Sequence, residues 1–110
     1  MRKIGFIGCG HMAKALIKGL KSNKSYKLLG HDRNNVNVAW LEQEKIPFCT
    51  LKEVCLEADI LMICVKPKDM YDLCSEIKTY INKDLKIVSV AAGITLKNLK
   101  NALSEGKVYR

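Results

Sequence analysis

Residues 3–13 read Lys3-Ile4-Gly5-Phe6-Ile7-Gly8-Cys9-Gly10-His11-Met12-Ala13, a short apolar run that leads directly into a glycine-rich turn. An apolar run of this length, bounded by glycine, is typical of a buried β-strand. From His11 to Leu20 the apolar residues recur every three or four positions, and Lys14 and Lys18 lie on the opposite face. That pattern predicts an amphipathic helix. The turn therefore joins a strand to a helix.

The alternation of strand and helix continues along the whole chain. Further strands are predicted at residues 26–31, 59–65, 85–91 and 107–110, with at most a short strand at 47–49. Helices are predicted from Asn34 or Asn35 to about 44, at 51–56, from Pro67 to about 81, and from Thr95 to about 105. Such alternation favours parallel strands joined by right-handed crossovers. The sequence therefore predicts one α/β domain over residues 1–110, a doubly wound, mostly parallel sheet of the Rossmann type in three α/β/α layers.

Length and composition agree with one ordinary globular domain. The chain has 110 residues, of which 48% are hydrophobic and 27% charged, and no apolar run approaches the length of a membrane-spanning helix. Five cysteines without a Cys-x-x-Cys pair argue against a zinc site or a disulfide framework, so we expect no metal and a reducing, cytoplasmic location. Cys64 lies within the most apolar run, which predicts a small core residue in a strand covered on both faces.

The net charge of +8 is compatible with binding to nucleic acid. However, the lysines are spread along predicted helix faces and aromatic residues make up only 6% of the chain. Proteins that bind nucleic acid usually interleave basic and aromatic side chains on one surface. We therefore expect no nucleic-acid partner and no membrane partner, and a basic nucleic-acid-binding protein remains an alternative.

The turn matches the pattern G-x-G-x-x-A, which is typical of dinucleotide-binding sites. Gly8 permits the tight turn, Gly10 lacks a side chain that would block a pyrophosphate, and Ala13 lets the helix pack closely on the strand. Backbone N–H groups at the start of the helix would then bind the phosphates. The turn itself, including Cys9, His11 and Met12, is the first candidate site for NADP or NAD. A reactive Cys9 thiol is an alternative to a packed one.

Asp32 and Arg33 follow the second predicted strand and point to different cofactors. Asp32 lies 22 residues after Gly10, where an acidic side chain accepts hydrogen bonds from the ribose hydroxyls of NAD. Arg33 is suited to the 2′-phosphate of NADP, which Asp32 would repel. We favour NADP or the use of both cofactors, and the alternative for both residues is an exposed turn without a ligand.

Two further candidate segments follow later strands. Val65-Lys66-Pro67 closes the third long strand, and Ala91-Ala92-Gly93 closes the next one. Ligands of open α/β sheets bind at the carboxyl ends of the strands. Lys66 can donate to ribose or phosphate oxygens, and the small residues leave room for a nicotinamide ring or, alternatively, for a packed helix.

Together these segments resemble the amino-terminal half of pyrroline-5-carboxylate reductases. The resemblance rests on residues 4–15, Asp32-Arg33-Asn34, Ala58-Asp59-Ile60, Val65-Lys66-Pro67 and residues 88–95. It implies an enzyme that reduces the cyclic imine pyrroline-5-carboxylate to proline with NADPH or NADH, in proline biosynthesis. It also implies cofactor contacts at Gly8 to Met12, Asp32, Arg33, Val65 to Pro67 and Ala91 to Gly93.

The chain departs from the family pattern in two side chains and in length. His11 stands where the family usually has Asn or Gln, and Leu51 aligns with an Asn that contacts the adenosine ribose. The chain ends at Arg110, whereas the family continues into a helical domain that forms the homodimer, or a larger homo-oligomer, and the substrate pocket. We therefore expect a fragment with no catalytic residue of its own, which binds NADP(H) weakly and turns over no substrate.

Two kinds of function remain open from the sequence besides the nucleic-acid-binding alternative. A β-hydroxyacid dehydrogenase or a deazaflavin-dependent NADP reductase would share the glycine-rich turn. A non-catalytic module that senses dinucleotides would bind the cofactor without a catalytic partner domain.

Overall fold

Five parallel strands form one sheet in the computed structural model, which describes residues 2–90 and 107–109. The strands are Arg2–Ile7 (β1), Tyr26–His31 (β2), Ile60–Ile63 (β3), Lys86–Ser89 (β4) and Lys107–Tyr109 (β5). Their order in the sheet is β2-β1-β3-β4-β5, and every pair is parallel. The predicted doubly wound, parallel sheet is confirmed.

Four helices connect the strands within the described residues. They are His11–Leu20 (α1), Asn35–Gln43 (α2), Leu51–Glu57 (α3) and Pro67–Ile77 (α4). Local sequence explains where they start. Asn34 caps α2 by accepting the N–H of Val36, and Thr50 caps α3 in a reciprocal capping box with Glu53. The helix predicted from Thr95 and the segment Ala91-Ala92-Gly93 lie outside the described residues.

The core consists of two clusters of buried apolar side chains, one on each face of the sheet, as the predicted three-layer architecture requires. Alternate residues of β1 point to opposite faces, so Ile4 and Phe6 pack with α1 and α2 while Ile7 packs with α3 and α4. The first cluster also contains Ala13, Ile17, Leu28, Leu41 and Ile46. The second contains Val54, Leu61, Ile63, Met70, Leu73, Ile77 and Ile87.

Two predicted strands are shorter than expected. The run at residues 59–65 forms a strand only at Ile60–Ile63, and the run at 85–91 forms one at Lys86–Ser89 within its described residues, 85–90. β3 ends beside Ile7 because β1 ends there and the chain turns away at Gly8. Only one face of β3 is fully covered, since Leu61 and Ile63 are buried while Ile60 and Met62 are half-buried.

The predicted short strand at 47–49 is reduced to a single bridge. Phe48 pairs in parallel with Gly30, through hydrogen bonds from Gly30 N–H to Pro47 O (3.0 Å) and from Cys49 N–H to Gly30 O (2.8 Å). Phe48 thus lies beside β2, at the outer edge of the sheet. Counted as a strand, the bridge gives the order 3-2-1-4-5-6 of dinucleotide-binding folds.

No helix in the described part of the chain has the length and apolarity to cross a membrane.

Candidate functional site

A cleft opens at the carboxyl ends of β1, β2 and β3, where the strand order changes direction between β1 and β3. Ligands of open α/β sheets bind at such a point. The cleft has a volume of about 490 Å³. It is lined by Ile7, Gly8, Gly10, His31, Asp32, Arg33, Asn34, Asn37, Leu51, Cys64, Val65, Lys66, Lys68, Asp69, Asp72 and Leu73.

Gly8 is required by the fold itself. Its φ of +87° lies in the left-handed region, and a Cβ atom there would come within 3.0 Å of the carbonyl group of Cys64. Its N–H donates to the carbonyl of His31 at 2.9 Å. The turn after β1 can therefore approach β3 closely only with glycine at this position.

Gly10, in contrast, has no structural reason to be glycine. Its φ of −77° suits any residue, and a Cβ atom built there meets no atom within 4 Å. It is the N-cap of α1 and supplies no side-chain hydrogen bond to the first turn of the helix. Gly10 therefore leaves both the space and the first-turn N–H groups of α1 open to a ligand.

Asp32 connects three parts of the cleft wall. Its Oδ2 accepts the N–H of Cys9 at 2.6 Å and the Nδ2 of Asn37 at 3.0 Å, and its Oδ1 accepts the N–H of Asn34 at 2.8 Å. A carboxylate has about four acceptor sites, so one remains for a ligand hydroxyl. Asp32 thus holds the glycine-rich turn against the start of α2 and has limited capacity for a ribose.

The Cys9 side chain is buried behind the turn and does not line the cleft. Burial, and then the neighbouring charge of Asp32, raises the pKa of the Cys9 thiol to about 12. The alternative of a reactive thiol at Cys9 is therefore wrong. Its N–H is committed to Asp32, whereas the N–H groups of Gly10, His11 and Met12 lie at the start of α1 and have no acceptor within the helix.

We expect Cys9 to resist alkylation by iodoacetamide in the folded chain at pH 8. A pKa of about 12 leaves about one thiol in ten thousand as the reactive thiolate at that pH. Peptide mass mapping after timed labelling measures each cysteine separately. Labelling of Cys9 at the rate of the denatured chain would contradict its burial.

Arg33 lines the cleft and forms an ion pair with a residue of α4. Its Nη2 pairs with Glu76 Oε1 at 2.5 Å, and the two side chains are 70% and 44% exposed. The cleft lining contains three basic residues and three acidic ones, so its formal charge is zero in a chain of net charge +8. Attraction of an anion to this cleft must therefore come from particular groups and not from the overall charge.

The remaining predicted site residues have different positions. Val65 and Lys66 line the cleft beside Gly8. His11 and Met12 are exposed on the first turn of α1, and Ala13 is fully buried against β1, as close packing of helix and strand requires. Pro67 is the first residue of α4, where its missing N–H has no consequence.

Several residues of the cleft wall were missed from the sequence. They are Asn37 on α2 and Lys68, Asp69, Asp72 and Leu73 on α4. The sequence indicates site residues where they directly follow a predicted strand. These five residues lie within helices, so that signal does not reach them. Cys64 was predicted to be a core residue, but it is half-buried and lines the cleft because it follows the last residue of β3 at the open edge of the sheet.

Comparison with known protein families agrees with this geometry. A family model described as "NADP oxidoreductase coenzyme F420-dependent" matches residues 3–93. The chain belongs to this family. Its sequence is also similar to the pyrroline-5-carboxylate reductase of Escherichia coli strain K12, with 37% identity over 120 residues that cover 96% of this chain and 41% of that protein. The resemblance to the amino-terminal half of these reductases is confirmed.

Solved structures confirm the fold. A pyrroline-5-carboxylate reductase from Coxiella burnetii matches with a TM-score of 0.87 and 22% identity, over 96% of this chain and 41% of that one. The reductase of Plasmodium falciparum, solved with NADP bound, matches with a TM-score of 0.78 and 24% identity, over 97% and 40%. The chain thus spans about two fifths of the length of the reductases it resembles.

Proposed function

We propose that this chain is the cofactor-binding domain of an oxidoreductase and that it binds NADP(H) or NAD(H) in the cleft. The observation that supports this most is Gly10, a glycine that the fold does not need and that faces the cleft at the start of α1. Where a backbone must approach a pyrophosphate, only glycine leaves enough space. The first-turn N–H groups of α1 supply the hydrogen bonds that the phosphates require.

The other parts of a dinucleotide find suitable groups along the same wall. One free acceptor site of Asp32 suits a ribose hydroxyl, and the exposed guanidinium of Arg33 suits a 2′-phosphate. Leu51, Val65 and Leu73 provide an apolar surface for the adenine ring. Asn34 and Asn37 hold Asp32 in place.

We propose that the whole enzyme reduces pyrroline-5-carboxylate to proline. The similarity to the Escherichia coli reductase extends over 96% of the chain, and the reductase of Plasmodium falciparum is solved with NADP bound. The nicotinamide supplies a hydride for the imine carbon, and the protein supplies binding and orientation. We assign no role in proton transfer to the described residues, 2–90 and 107–109, so their contribution is to position the cofactor.

The substrate pocket and the homodimer contacts belong, in this proposal, to a carboxy-terminal helical domain, and the enzyme acts in the cytoplasm. The chain by itself then binds NADP(H) weakly and forms no proline.

The family description names coenzyme F420, a deazaflavin, which favours a second candidate function. Assaying the full-length gene product with NADPH and either pyrroline-5-carboxylate or coenzyme F420 separates the two: proline formation supports our proposal, and reduction of F420 alone contradicts it.

Arg33→Ala tests the role of Arg33 in the chain itself. We expect the variant to bind NADPH about three- to tenfold more weakly, since it loses a charge-assisted hydrogen bond to the 2′-phosphate, and to bind NADH almost as the unmodified chain does. Calorimetric titration with each cofactor measures the difference. Equal losses for the two cofactors would remove Arg33 from the phosphate role.

A further inference from the structure

The Arg33–Glu76 ion pair joins the segment after β2 to α4, and both contribute residues to the cleft wall. Arg33 follows β2 directly after Asp32, and Glu76 lies in the last turn of α4, 43 residues later. Arg33 lines the cleft and pairs with Glu76, which does not line it. In the chain without ligand, the guanidinium is therefore already bound to a carboxylate.

We infer that Glu76 sets the preference of this chain between cofactors with and without a 2′-phosphate, by competing with that phosphate for Arg33. The inference rests on the proposed function. A 2′-phosphate and a carboxylate are both oxygen acceptors for the same guanidinium, and each prefers a paired geometry with it. Binding of NADPH either displaces Glu76 from Arg33 or places two like charges beside each other, and both outcomes weaken NADPH binding.

NADH experiences neither effect, because its ribose carries a hydroxyl at the same position. The Arg33–Glu76 pair can stay formed while NADH is bound, and Asp32 keeps one acceptor site for that hydroxyl. Asp72, one turn before Glu76 on α4, also lines the cleft and adds to the negative charge near Arg33. Glu76 therefore opposes the preference for NADP that Arg33 alone would give.

The expected effect is modest because both side chains are exposed. Exposed ion pairs contribute up to about 1 kcal/mol, which corresponds to about a fivefold change in affinity. Glu76→Gln is therefore expected to tighten NADPH binding about two- to fivefold and to leave NADH binding unchanged. Salt screens charges over distances of about 8 Å at physiological ionic strength, so the gain becomes smaller as salt is added.

The chain offers a matched control in Glu44→Gln. Glu44 pairs with Lys21 at 3.3 Å in a second exposed ion pair, and neither residue lines the cleft. The same change there removes one negative charge and one ion pair without touching Arg33. We expect it to alter the affinities for NADPH and NADH equally and by little.

The experiment measures the dissociation constants of NADPH and NADH for the unmodified chain, Glu76→Gln, Glu44→Gln and Arg33→Ala/Glu76→Gln. Selective tightening of NADPH binding by Glu76→Gln in the unmodified chain, reduced by more than half when Glu76→Gln is instead added to Arg33→Ala, supports the inference. Weaker NADPH binding in Glu76→Gln would show that Glu76 orients Arg33 for the phosphate. An unchanged ratio of the NADPH and NADH dissociation constants would show that Glu76 has no role in cofactor preference. Either result overturns this inference and leaves the proposed function standing. If the folded chain and all variants bind neither cofactor, the proposed function itself is wrong and the inference is overturned with it.

Discussion

Gly10→Ala is expected to weaken NADPH binding by more than about tenfold without unfolding the chain. The added methyl group meets no protein atom within 4 Å, but it occupies the space through which a pyrophosphate approaches the first turn of α1. The loss of one hydrogen bond from an amide to a charged phosphate corresponds to about 1.5–3 kcal/mol. Alanine is a slightly poorer N-cap than glycine but restricts the unfolded chain, so we expect stability to change by no more than about 1 kcal/mol.

Gly19→Ala is the matched control for this substitution. Gly19 is also in α1, is exposed, and likewise has no atom within 4 Å of a built Cβ. Alanine in a helix stabilises it by about 0.5–1 kcal/mol relative to glycine, and Gly19 does not line the cleft. Denaturant titration and NADPH titration of both variants separate stability from binding. Unchanged NADPH affinity in Gly10→Ala would mean that no phosphate binds at this turn.

Asp32→Ala is expected to lower both the stability of the chain and its affinity for both cofactors. The substitution removes the acceptor of Cys9 N–H, Asn34 N–H and Asn37 Nδ2 at once. Leaving a partly buried donor without an acceptor costs about 1–3 kcal/mol, and the turn that carries Gly10 loses its tie to α2. Unlike Arg33→Ala, this variant should not distinguish NADPH from NADH.

Asp59→Ala gives the comparison for Asp32→Ala. Asp59 also accepts a backbone N–H, that of Lys3 at 2.8 Å, but it lies at the amino end of β3, on the opposite edge of the sheet from the cleft. We expect this variant to lose stability and to keep its affinity for NADPH.

If the free energy of unfolding of Asp32→Ala equals that of the unmodified chain, the turn is held by other contacts and Asp32 has no structural role.

The fold was predictable from the sequence because its signals are local. The period of apolar residues changes from that of a strand to that of a helix at His11, and Asn34 and Thr50 mark the starts of α2 and α3. The extent of β3 was not predictable. It depends on where the neighbouring β1 ends, and no property of residues 64 and 65 records that.

The candidate site was predictable only where it follows a strand. The carboxyl ends of parallel strands lie at one edge of the sheet, and residues at these ends could be predicted to belong to the site. They are Gly8, Gly10, Asp32 and Lys66. The contact of Glu76 with the site could not be predicted, because its partner Arg33 is 43 residues away in the sequence and only the packing of α4 brings the two together. The contact of Asp32 with the N–H of Cys9 was missed for the same reason, since it depends on the path of the backbone between Gly8 and Gly10.

The most direct test of cofactor binding at the glycine-rich turn is an NMR titration of the folded, nitrogen-15-labelled chain with NADPH. We predict that the backbone amide signals of Gly10, His11 and Met12 shift with increasing NADPH, because their N–H groups bind the phosphates, and that the signal of Gly19 stays in place. If those three signals remain unmoved at millimolar NADPH in a chain that is fully folded, the cleft does not bind a dinucleotide through this turn.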